Sequence, residues 1–65
     1  MQNYVTRMMQ EKEDLQGKIK RAKKVIENIP FGMDKTQIML LGKQIKIMEE
    51  YLDCLSERLV YEENK

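Results

Sequence analysis

The sequence predicts an all-α fold, an antiparallel two-helix hairpin that assembles into a helical homo-oligomer, and three observations carry that prediction. Strong turn chemistry occurs at one place, NIPFGMD at 28–34. Both flanks repeat apolar residues at alternating three- and four-residue intervals, the period of an amphipathic helix. The second flank also carries more apolar surface than one partner helix can cover. The 65 residues therefore read as a single αα-hairpin domain, with no strand signal and no low-complexity tract.

Helix 1 is expected from about Asn3 to Asn28, on a seam of Val5, Met8, Leu15, Ile19, Ala22, Ile26 and Ile29 that Lys12 interrupts. The turn covers 29–34, where Pro30 biases Ile29 away from helical dihedrals and Gly32 permits a tight turn. Helix 2 is expected from Lys35 to about Tyr61. Asp34 suits the N-cap, Gln37 completes a D-x-x-Q variant of the capping box, and Met33 with Ile38 forms a hydrophobic staple. Its seam of Ile38, Leu41, Ile45, Met48, Leu52, Leu55 and Leu59 is unbroken. At 1.5 Å per residue each arm is about 40 Å long. A second apolar row on helix 2, Leu40, Ile47, Cys54 and Tyr61, lies about 100° or more around from the seam, which predicts contact with another copy of the chain. Gln44, Tyr51 and Arg58 recur every seven residues between the two rows. They are expected to be partly buried where contacts within and between chains meet.

Length and composition narrow the function. A chain this short buries only about 60% of its unfolded surface, so disulfides, a metal or oligomerisation would be needed to support it. Cys54 is the one cysteine and there is no histidine, which leaves no intramolecular disulfide and a poor ligand set for zinc. Oligomerisation remains. The lone thiol suits a reducing cytosol. No apolar run approaches the roughly 20 residues that span a bilayer, and MQNYVTRMMQ lacks the apolar core of a signal peptide. A soluble protein retained in the cytoplasm follows, with no membrane partner. A formal charge of +1 argues against nucleic acid as the main partner. Residues 1–32 carry seven Lys/Arg against four Asp/Glu and residues 33–65 five against seven, so the two segments are suited to lie together.

The chemistry on offer is that of binding. Without histidine the usual neutral-pH base is missing, Cys54 sits in an apolar row that reads as structural rather than as an activated nucleophile, and Glu49/Glu50 and Glu62/Glu63 read as solvated faces. No enzyme, cofactor or metal site is expected. The basic run KIKRAKK at 18–24 reads as a solvated face that Glu27 and the acids of helix 2 partly neutralise, though in an oligomer its lysines could ring a pocket for a small anion. Gly17 and Gly42 inside helices each cost up to about 1 kcal/mol relative to alanine, either tolerated or offset by a close approach. Arginine grips phosphate through two parallel donors, tyrosine stacks while its hydroxyl donates, and glutamine reads a polar edge. Tyr4 and Arg7 repeat this chemistry and should approach Leu55 to Glu62. The residues alone leave two readings open for the stripe: a buried polar network, with Arg58 or Arg7 paired with Glu11 or a partner's carboxylate and the tyrosines hydrogen-bonded across an interface, or a ligand site.

YVTRMMQEKEDLQGKI followed by LLGKQIKIMEEYLDCLSERL resembles a small phage-encoded helical-hairpin family related to a protein of crAss-like phages. The resemblance covers nearly the whole chain and falls on Tyr4, Arg7, Met8, Glu11, Leu15, Gln44, Met48, Tyr51, Leu55 and Arg58. The design also looks like that of phage sponge proteins that counter the CBASS and Thoeris defences, small non-enzymatic oligomers that sequester a nucleotide signal. That likeness implies a sponge acting in the bacterial host cytoplasm, its ligand a cyclic oligonucleotide or a cyclic ADP-ribose isomer held between protomers. Arg7 and Arg58, helped by Lys18 or Lys20, would hold phosphates; Tyr4 and Tyr51 would stack on bases; Gln44 would contact a polar edge. A helical adaptor that binds a host or phage protein through its apolar face is the alternative.

Overall fold

In the computed structural model, which describes residues 4–64, helix α1 spans Tyr4–Glu27 and helix α2 spans Lys35–Glu63. They lie side by side as a hairpin with extents of 48 × 20 × 14 Å. Both helices follow from the apolar period. Leu15 and Ile19 of α1 and Ile45 and Leu55 of α2 form the buried cluster, with Ala22, Ile26, Leu41, Met48 and Leu52 packed half-buried against it. Met8 and Leu59 extend the buried set, and Leu55 is completely enclosed. Burying a leucine stabilises by about 1.5–3 kcal/mol, so this narrow seam carries the hairpin.

The turn behaves as its residues dictate. The Met33 N–H donates to the Pro30 carbonyl at 3.2 Å, closing a turn in which Gly32 takes φ +92°. Positive φ at that position is what a type II turn requires, and glycine takes it without steric cost. Asp34 then caps α2 from an extended conformation: its Oδ1 accepts from the Gln37 N–H at 2.8 Å, and its own N–H donates to Gln37 Oε1 at 2.9 Å. The expected capping box is thus complete. At the far end the Asn64 N–H donates to the Val60 and Tyr61 carbonyls, and its side-chain amide donates to Val60 as well.

One expectation needs correction. Ile29 was placed on the α1 seam, but it is 51% exposed, because α1 ends at Glu27 and the residue before a proline leaves the helical region. The stripe residues Gln44, Tyr51 and Arg58 are all exposed in the single chain, Tyr51 at 44%; α1 covers only the edge of the row they occupy. α2 runs two residues past Tyr61, and Asn3, the expected start of helix 1, lies outside the described residues.

Candidate ligand-binding site

Two tyrosines tie the helices together along one side. The Tyr4 hydroxyl donates to Glu62 at 2.6 Å, which puts the start of α1 beside the end of α2, and the Tyr51 hydroxyl donates to Glu11. Glu11 lies seven residues after Tyr4, four after Arg7 and seven before Lys18, spacings that hold all four on one flank of α1. Opposite them α2 presents Gln44, Tyr51 and Arg58, again seven apart. The polar network left open by the sequence therefore exists in part: Glu11 and Glu62 satisfy the tyrosines. The arginines are not consumed by it, since among the described residues neither Arg7 nor Arg58 forms an ion pair.

Glu11 and Arg58 act on Tyr51 in opposite senses. The hydrogen bond to Glu11 holds its phenol above the ordinary value of 10.0, desolvation and the Glu11 charge push it the same way, and the Arg58 charge pulls it down. The phenol is therefore held protonated as a donor, with a guanidinium near enough to influence it. Arg58 lines an open hollow of about 260 Å³ with Cys54, Glu57, Tyr61 and Glu62. That is smaller than the roughly 300–1,000 Å³ of pockets that enclose small ligands, and its charged rim holds one cation against two carboxylates.

The structure brings six of the seven expected residues to one side and separates the seventh. Lys20 follows Lys18 by two residues, about 200° around the helix. It lines a hollow of about 320 Å³ with Gln16, Ile19, Lys23, Glu49 and Leu52. There Lys23 pairs with Glu49 at 3.1 Å, so part of the basic run is neutralised by α2. The remaining six form a ribbon. From Tyr4 to Lys18 and from Gln44 to Arg58 it extends about 21 Å along the helices, so one small ligand engages part of it. A further hollow of about 350 Å³ contains none of the expected residues; Lys12, Gln16 and Ser56 supply its polar groups beside Glu13 and Glu63. Ser56 carries no signal in the sequence beyond facing the same side as Leu59 and Leu52. Among the described residues no three acidic or thiol side chains converge as a metal site, and no helix is long and apolar enough to cross a membrane.

Folding back also sorts the charges. The turn half, residues 16–48, carries eight Lys/Arg against two Asp/Glu, whereas the open half, residues 4–15 and 49–64, carries three against nine. The rod is therefore about +6 at one end and −6 at the other. Dividing the linear sequence at its midpoint hides this, because each half of the sequence contributes to both ends. Arg7 and Arg58 are thus cations set in the acidic end.

With that geometry in view, comparison with known families is decisive for membership. The Sequestin family model matches residues 2–61. The chain belongs to the Sequestin family. The match takes in both helices and the turn, along with all seven expected site residues. No curated protein and no solved structure gives a match.

Proposed function

We propose that the protein is a sponge: a homo-oligomer that captures a small phosphate-bearing nucleotide signal between protomers and holds it without cleaving it. The observation that carries the reading is membership of a family whose name denotes sequestration. Two arginines that form no ion pair among the described residues, on the same side as Tyr4 and Tyr51, support it. The signal is a cyclic oligonucleotide or a cyclic ADP-ribose isomer, and the setting is a phage countering CBASS or Thoeris in the cytoplasm of its bacterial host. Arg7 and Arg58 hold phosphates with Lys18 beside them, the tyrosine rings stack on bases, and Gln44 contacts a polar edge; Lys20 reaches the ligand only from a neighbouring protomer. Two charge-assisted arginine contacts at about 1.5–3 kcal/mol each and two stacked rings at about 1–3 kcal/mol each bracket the −8.2 kcal/mol of a micromolar Kd. Affinity is enough, because a sponge works by keeping the free signal below what its receptor needs.

A second reading is a helical adaptor that binds a host or phage protein. The exposed apolar groups favour it, Phe31 at the turn being fully exposed and Leu40 and Ile47 each 56% exposed. Charge-neutral variants R7Q and R58Q separate the two. Under the sponge reading each weakens capture of a cyclic nucleotide about 10- to 100-fold and leaves the oligomer intact. Loss of assembly or of partner-protein binding in these variants, with no nucleotide captured by the wild type, supports the adaptor instead.

A further inference from the structure

From Leu40 to Tyr61 the outer face of α2 has a regularity that neither row shows separately. Leu40, Ile47, Cys54 and Tyr61 fall on the d positions of a heptad whose a positions are Gln44, Tyr51 and Arg58, stepping by four and three throughout. All seven are exposed. This is the seam of a two-helix coiled-coil contact, which α1 leaves uncovered. The g positions beside it are Lys43, Glu50 and Glu57.

We infer that this seam pairs antiparallel with the same seam of a second copy, in a register centred on Glu49 that sets Lys43 against the partner's Glu57 and completes the hollow at Arg58. Charge decides the direction. From Lys35 to Met48, α2 carries three lysines and no acid, and from Glu49 to Glu63 it carries six acids and one arginine. A parallel pair would lay like ends together, whereas an antiparallel pair lays each basic half on an acidic one, in α2 as in the whole rod. Helix length decides the register, and the g positions are compatible with it. Glu49 is the midpoint of Lys35–Glu63, so centring there overlaps the entire helix and pairs Lys43 with Glu57 twice. The one like-charged g pair is Glu50 with the partner's Glu50, each with Lys46 four residues before it on its own helix. Sliding half a heptad toward the C-terminus puts Glu50 against Glu57 twice and leaves Lys43 beside Asn64, and sliding half a heptad toward the N-terminus pairs Lys43 with Glu50 but gives up overlap and leaves Arg58 and Tyr61 beyond the end of the partner's α2.

The consequence for the site deepens the sponge reading and rests on it. In a single chain the hollow at Arg58 is small and rimmed by Glu57 and Glu62. The partner's Lys43 meets Glu57 there and the partner's Leu40 lies opposite Arg58, so the hollow gains a wall and a cation and loses its acidic excess. In this pairing Gln44 and Tyr51 pack against the partner's Cys54 and the partner's Ile47, so at the completed hollow a base stacks on Tyr61, in place of the Tyr51 stacking and the Gln44 contact expected from a single chain. Two equivalent sites result per dimer.

Cross-linking of the full chain tests the register. Cys54 is the only thiol, and in this pairing two Cys54 residues are about 15 Å apart along the axis, whereas Cys54 faces the partner's Gln44. A short bismaleimide should therefore link Q44C into dimers, and should not link the wild type or C54S/Q44C. Linking of the wild type, or failure of Q44C to link, overturns the register. Charge exchange provides an independent check. K43E and E57K should each raise the dimer Kd about tenfold, and K43E/E57K should restore it; absence of restoration overturns the Lys43–Glu57 pairing. Neither measurement involves a ligand. Wild-type protein that takes up no cyclic nucleotide while Q44C links and K43E/E57K restores the dimer refutes the sponge alone, and nucleotide uptake by the wild type without the Q44C link refutes the pairing alone.

Discussion

Tyr51 shows how one side chain reports both the hairpin and the site. Its hydroxyl joins α2 to Glu11 of α1, and that bond holds the phenol above 10.0. In the unfolded chain the phenol ionises at its ordinary value. Below pH 10.0 it is protonated in both states and the bond's contribution is fully present; as pH rises past 10.0 and through the raised folded value, that contribution is lost. Denaturation on either side of pH 10.0 should show a loss of stability in the wild type that is smaller in Y51F. E11Q should bring the Tyr51 ultraviolet titration back toward 10.0. At Leu55, which is fully enclosed, truncation to alanine should cost about 2–5 kcal/mol in denaturant unfolding, much of what a hairpin this small has. Leu55 was legible from its place on the seam, whereas Glu11 was expected to pair with an arginine and bonds Tyr51 instead, because seven-residue spacing assigns a face and says nothing of which group across the groove is nearest.

At the scale of elements, the turn and the start of α2 were readable because their chemistry is local. Pro30, Gly32, Asp34 and Gln37 specify dihedrals and caps within a few residues, and the structure has the positive φ and both capping bonds where expected. D34A should lower stability by about 1 kcal/mol, measured by thermal or chemical unfolding. Ile29 was misplaced for the converse reason: the apolar period continued one step past the point at which Pro30 ends the helix. The helix glycines are now resolved for the single chain. A Cβ at Gly42 meets nothing within 4 Å, so no approach within the hairpin demands glycine there, and G42A should stabilise by up to about 1 kcal/mol. Destabilisation of G42A would instead mark a partner or ligand pressed on that face, away from the α2 seam. At Gly17 the added Cβ would meet only the Arg21 guanidinium at 3.3 Å, the mobile end of a long side chain.

For the whole molecule, the decisive property is the separation of charge along the rod, and it was the least legible in the sequence. The midpoint division of the chain shows a mild imbalance, whereas the folded hairpin stacks the basic end of α1 on the basic start of α2 and the acids at the other end. Self-association through such ends should weaken with salt; raising ionic strength from about 0.05 M to about 0.5 M shortens the screening length roughly threefold, and sedimentation should show a weaker dimer. The acidic setting of Arg7 and Arg58 also means that a lone chain is a poor anion site, so conditions that dissociate the oligomer should also abolish ligand capture. Titration calorimetry of the wild-type protein with cyclic di- and trinucleotides and cyclic ADP-ribose isomers, followed by recovery of the ligand from denatured complex, tests the sponge most directly. The account expects saturable uptake of at least one of these ligands, one per site, and its return chemically intact. No uptake of any of them, or return of a cleaved product, would contradict it.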